Sequence, residues 1–112
     1  MTKVSIGELR TESALDISSA ALEEISEEVN RLVFEYFASI RDRGVVAPNR
    51  FGDTLSKLTR ELSTEGVALE KLIEECRTII DLSRHNGHPR FFGYVASPAT
   101  AAGAYADLIA ST

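Results

Sequence analysis

The chain has 112 residues, 44% of them hydrophobic and 26% charged, with a formal net charge of -5. That length bounds the fold to one small domain, and the composition argues for a folded soluble segment rather than a disordered one. Arginines scattered among acids give no electrostatic footprint for nucleic acid, and the single cysteine, Cys76, excludes an internal disulfide framework. No apolar run approaches the ~20 residues that span a bilayer, and the start MTKVSIGELRTES lacks the apolar centre of a secretory signal. A cytoplasmic protein is therefore the expectation.

Residues 1–15 mix polar and apolar side chains without a sustained period and read as an N-terminal arm. Asp16, Ser18 and Ser19 are candidate N-caps for a helix beginning beyond them. Leu22, Ile25, Val29, Leu32, Val33, Tyr36, Phe37 and Ile40 recur at three- and four-residue steps, with Glu23, Glu24, Glu27, Glu28 and Arg31 on the other face. The spacing predicts a long amphipathic helix, with Gly44 placed to close it as the C′ residue.

From Val45 to Gly52 the sequence reads as a loop, carrying Pro48 and Asn49. A short helix is then expected, capped by Asp53 or Thr54 and bearing Leu55, Leu58 and Leu62, before Ser63, Thr64, Glu65 and Gly66 break the pattern. Helical spacing returns at Leu69, Leu72, Ile73, Cys76, Ile79 and Ile80 and predicts a second long amphipathic helix, ended by Asn86-Gly87 in a left-handed turn. Pro89 lacks an N–H and turns His88 away from helix, so residues 88–96 are expected to be extended. Ser97 as N-cap with Pro98 at the first helical position predicts a terminal helix, or one starting a residue or two later. The fold class is all-α: two longer amphipathic helices, one short helix and a C-terminal helix, with one extended segment near 88–96.

That terminal helix carries Ala101, Ala102, Ala104, Tyr105, Ala106, Leu108, Ile109 and Ala110, apolar on nearly every side. Helices of that kind are normally buried within something larger. The expectation is the front of a longer protein, or one half of an interlocked assembly. The seam of the first helix is either the core of a small bundle or a docking face for a partner subunit. Two strong apolar faces and one short helix close a poor core for a chain this long, which favours the partner.

Few residues carry chemistry of their own. His85 and His88 are spaced as a possible metal pair, but Asn86, Gly87 and Pro89 interrupt the helix that such a pair requires, and there is no third histidine. Cys76 lies on an apolar face, where a buried, inert thiol is expected. Phe91-Phe92-Gly93-Tyr94-Val95 is an aromatic run in which alternation sets Phe92 and Tyr94 on one side and Phe91, Gly93 and Val95 on the other. Gly93 there suits the close approach of another surface, and Tyr94 offers an apolar ring with a polar tip.

The run His88-Pro89-Arg90-Phe91-Phe92-Gly93-Tyr94, followed by Ala106, Asp107 and Leu108 in a helix, resembles the N-terminal region of the group II pyridoxal-phosphate-dependent decarboxylases, the aromatic-amino-acid and glutamate decarboxylase family. The specific match covers the last quarter of the chain; earlier residues agree in helical layout only. The resemblance implies a parent of the aspartate-aminotransferase-like α/β fold, acting as a carboxy-lyase on an amino acid with pyridoxal 5'-phosphate in its large domain. It implies that residues 16–87 form a helical dimerisation unit packed across a partner, and that 88–112 begin the segment entering the substrate cleft. By position, Tyr94, Val95, Ala96 and Ser97 are then the substrate-contacting residues. Glutamate-type members tend to have Asn-Gln-Leu after the paired phenylalanines; Gly93-Tyr94-Val95 departs from that and argues against an acidic substrate.

The cofactor needs a lysine on its aldehyde and then serves as the electron sink. The only lysines are Lys3 in the arm and Lys57 and Lys71 among polar helix positions, and the family's His-Lys pair, pyridine-nitrogen aspartate and phosphate loop are missing. The chain by itself is thus expected to be inactive, with no catalytic, cofactor or metal residue. The reading is an N-terminal part of an amino-acid decarboxylase that forms a homodimer or higher homo-oligomer, with no nucleic-acid or membrane partner. Its rivals are a stand-alone helical interaction module without catalytic activity and a helical regulatory or lid domain of another enzyme.

Overall fold

The computed structural model describes residues 16–93 and 98–112. Helix α1 runs Ser19–Ser39 and passes into a single 3₁₀ turn, Ile40–Asp42; α2 is Phe51–Leu58, α3 Leu69–Leu82 and α4 Ala101–Ala110. No strand is present among the described residues, so the chain is all-α there. Tyr94, Val95, Ala96 and Ser97 lie outside the described residues, as does the arm 1–15.

The start of α1 agrees with its sequence signal. Ser18 is extended and its side chain accepts the Ala21 N–H at 3.2 Å, satisfying one of the donors that a helix start leaves open. Its end does not. Gly44 adopts no positive φ, and the last α-helical residues tighten instead into the 3₁₀ turn before Arg43 goes extended.

Helix α2 begins at Phe51, within the expected loop, because the Thr54 N–H already bonds the Arg50 carbonyl at 3.0 Å. Asp53 and Thr54 are thus interior rather than capping, and the Thr54 hydroxyl is engaged by the Asn49 amide. Leu62 lies beyond the helix and is 96% exposed, not part of an apolar face.

Helix α3 stops at Leu82, four residues before Asn86. The reason is tertiary capture. Ser83 turns extended, and the His85 N–H bonds the Val45 carbonyl at 2.9 Å across the molecule instead of continuing the ladder. Asn86 and Gly87 form a turn without left-handed backbone. The expected extended run also begins later than His88: the His88 N–H bonds the His85 carbonyl at 3.1 Å and the Phe91 N–H bonds the His88 carbonyl at 3.0 Å, two successive turns. Helix α4 is capped by Thr100, whose hydroxyl accepts the Gly103 N–H at 3.0 Å, and Pro98 stays outside it.

Packing is concentrated where α1 meets α3. Leu69 and Ile73 of α3 and Ala21 of α1 are the buried apolar residues among those described, joined by His85 and His88. Two ion pairs link the helices, Arg77 to Glu35 at 2.7 Å and Arg43 to Asp81 at 2.6 Å. Both are partly solvated, so each contributes at most ~1 kcal/mol. Much apolar surface is left open: Leu22 and Phe34 on α1, Leu55 on α2, and Tyr105, Leu108 and Ile109 on α4 are all exposed. A radius of gyration of 16.5 Å, against roughly 13 Å for a compact chain near this length, agrees with a core that does not close on itself.

Candidate functional site

The seam of α1 near its C-terminal end delivers Tyr36, and the turn after α3 delivers His85 and His88. The Tyr36 hydroxyl lies 3.4 Å from His85 Nδ1, and the two rings are tilted with centroids 5.6 Å apart. Arg43, reaching back from the end of the 3₁₀ turn, sets its guanidinium 5.6 Å from the Tyr36 ring centroid while pairing with Asp81. On the next turn Arg84 lies over the Phe91 ring at 5.4 Å and bonds Asn86 through Nε. The result is a small polar and aromatic cluster holding the segment 84–91 against the end of α1.

His85 is 4% exposed, and its pKa is held below the ordinary 6.5. Burial is the main cause and the Arg43 cation the next; Asp81 opposes them and His88 adds to the lowering. The unfolded chain therefore binds a proton that the folded chain refuses, and stability falls as pH drops through 6.5, levelling only below the depressed folded value. Urea midpoints should decline between about pH 8 and about pH 5, and His85→Gln should flatten that decline. An equally steep decline in the variant would assign the effect to other groups.

His88 Nδ1 accepts the Arg90 N–H at 3.0 Å, so its lone pair is used and the proton of the neutral ring sits on Nε2. This Nε2 is buried without a hydrogen-bond partner among the described residues. Among the described residues no group of three His, Cys, Asp or Glu is placed to hold a metal ion. Sequence spacing weighs these histidines only against metal binding; the packing role of His85 rests on Tyr36, 49 residues upstream, which local pattern does not reach.

The aromatic run follows two turns rather than an extended start at His88, and then leaves the described residues. Phe91 is half-buried and Phe92 is 91% exposed. Gly93 does suit a close approach, but of the neighbouring side chain: a Cβ there would lie 2.7 Å from the Phe91 ring. The structure brings none of Tyr94, Val95, Ala96 and Ser97 into view, only their flanks at Gly93 and Pro98. Cys76 is half-buried rather than fully enclosed.

Two depressions accompany the helix pair. An apolar cavity of about 240 Å³ is lined by Leu32, Val33, Tyr36, Phe37, Ile80 and Ala104, where α4 meets α1 and α3. A cleft of about 150 Å³ between α2 and α3 is bordered by Lys57, Leu58, Arg60, Glu75, Thr78 and Ile79. Lys57 sits exposed in the last turn of α2. Glu75, the acid of that cleft, is already paired with Arg60. Lys71 is exposed on α3. Lys57 and Lys71 are thus both exposed on helix surfaces, without the enclosure that lowers the pKa of an aldehyde-binding lysine.

No family model matches the chain, and no solved structure matches it. Over 40 residues it is 45% identical to the cysteine sulfinic acid decarboxylase of Mus musculus, a stretch that is 36% of this chain and 8% of that protein. The chain is thus similar, over about a third of its length, to a small part of a decarboxylase.

Proposed function

We propose that this chain is the N-terminal helical part of a pyridoxal-phosphate-dependent amino-acid decarboxylase, serving homodimerisation and supplying part of the substrate cleft. The 45% identity over 40 residues to a decarboxylase carries the reading. The run from His88 to Tyr94 supports it. The exposed apolar residues of α1 and α4 support the dimer, since a second copy covering them would supply the core this chain lacks. An obligate interface of that kind buries more than roughly 2,000 Å². Cofactor binding and bond breaking then belong to a large domain outside these residues, and no step of the reaction is carried by the described residues.

In this reading Tyr94, Val95, Ala96 and Ser97 line the end of the cleft that holds the substrate side chain. The mouse relative's name specifies an acidic amino acid, whereas Gly93-Tyr94-Val95 departs from the glutamate-type pattern. A substrate panel decides between them. The full-length protein, supplied with pyridoxal phosphate, should release carbon dioxide from at least one amino acid. Tyr94→Ala should then reorder the preferred substrates by about 1–3 kcal/mol in transition-state binding, the scale of reshaping an apolar pocket. If Tyr94 only fills a core, the variant should instead lose roughly 3–5 kcal/mol of stability with substrate ranking intact. The second reading, a helical interaction module without catalysis, is favoured by the open apolar faces alone and predicts oligomers and no carbon dioxide from any substrate.

A further inference from the structure

His85 ties the segment 84–91 to the rest of the molecule at two points. Its backbone N–H reaches the Val45 carbonyl at 2.9 Å and its ring meets the Tyr36 hydroxyl at 3.4 Å. From His85 two turns run on directly, each closed by a backbone hydrogen bond, and they set the direction in which the chain leaves Phe91. We propose that the Tyr36–His85 contact is a proton-sensitive latch that positions these turns, making His85 a positioning residue for the run that enters Tyr94.

The groups facing the imidazole explain the sensitivity. Tyr36 and Arg43 face it from the end of α1 and its 3₁₀ extension, Asp81 from α3, and His88, Arg84 and Arg90 belong to its own segment. A protonated His85 would place a second cation beside Arg43, whose carboxylate partner Asp81 is already engaged at 2.6 Å. The buried, 4%-exposed ring has little water to solvate that charge. Movement of the ring out to water relieves that charge, and with it the two turns lose the Tyr36 contact that ties them to α1. The depressed affinity of His85 for a proton agrees with this arrangement. The bearing on substrate rests on the decarboxylase reading; the latch itself does not.

Proton and nitrogen NMR on the 112-residue chain tests it. The backbone amides of His88, Arg90, Phe91, Phe92 and Gly93 should shift in one step whose midpoint coincides with titration of the His85 ring. In Tyr36→Phe, which keeps the aromatic ring, both midpoints should move together away from the parent value. In His85→Gln the step should vanish while the helical circular dichroism persists. Amides that ignore the His85 titration, or a step that survives His85→Gln, would overturn the latch. If the full-length protein releases no carbon dioxide but the coupled titration is present, the latch stands and the decarboxylase reading falls.

Discussion

Leu32→Asp should abolish assembly and leave the chain partly or wholly unfolded. Leu32 lies along the apolar seam of α1, half-buried, and lines the open depression of about 240 Å³ with Val33, Tyr36, Phe37, Ile80 and Ala104, a mainly apolar wall. A carboxylate there loses the apolar contacts of the leucine and part of its own hydration, a cost of ~2 kcal/mol that rises if the face is covered. If a second copy covers this face, the penalty falls on the interface as well. Sedimentation equilibrium with parallel urea titration reads both effects. A variant that keeps the parent's mass and midpoint would mean that the seam faces solvent in the working molecule.

Leu69→Ala is the other large effect expected. Leu69 opens α3 and is 2% exposed, against a core whose other buried apolar members among the described residues are Ala21 and Ile73. Truncation should cost about 2–5 kcal/mol, with the spread set by how far the site collapses onto the space left. For a chain of marginal stability that is enough to leave much of it unfolded at room temperature. Leu62→Ala is the informative control. Leu62 is 96% exposed beyond the end of α2, so its loss should stay within about 0.5 kcal/mol. Equal destabilisation by the two substitutions would place Leu62 on a buried face, as helical spacing alone suggests.

That contrast shows how far sequence reaches into this fold. The bodies of α1 and α3 are legible because Leu22, Ile25, Val29 and Leu32, and likewise Leu69, Ile73, Cys76 and Ile80, repeat at the period of a helix and its packing face. Element ends are less legible, since they are set by contacts distant in sequence. α3 stops where His85 is captured by Val45, 40 residues upstream, and not where Asn86-Gly87 offers a flexible turn. Gly44 and Gly87 resemble helix stops by composition, yet neither takes up the left-handed backbone for which glycine is favoured. Helix α4 starts from the Thr100 cap, beyond the Ser97-Pro98 signal, because the Thr100 hydroxyl accepts the Gly103 N–H. Of the candidate site, the positions of Tyr94, Val95, Ala96 and Ser97 come from the family resemblance, because nothing in periodicity assigns a loop residue to a substrate. The Tyr36–His85 cluster has no local signature at all: it joins a seam residue of one helix to a turn residue beyond another.

In the proposed reading these residues belong to an enzyme whose catalytic lysine lies elsewhere in it. The most direct test of that reading is absorbance spectroscopy with added pyridoxal phosphate, on the 112-residue chain and on the full-length protein side by side. The full-length protein should show a stoichiometric band of lysine-bound cofactor that disappears when one lysine outside residues 1–112 is replaced, and the 112-residue chain should show none. A stoichiometric band in the short chain, lost on replacing Lys57 or Lys71, or no band in either protein, would contradict the account.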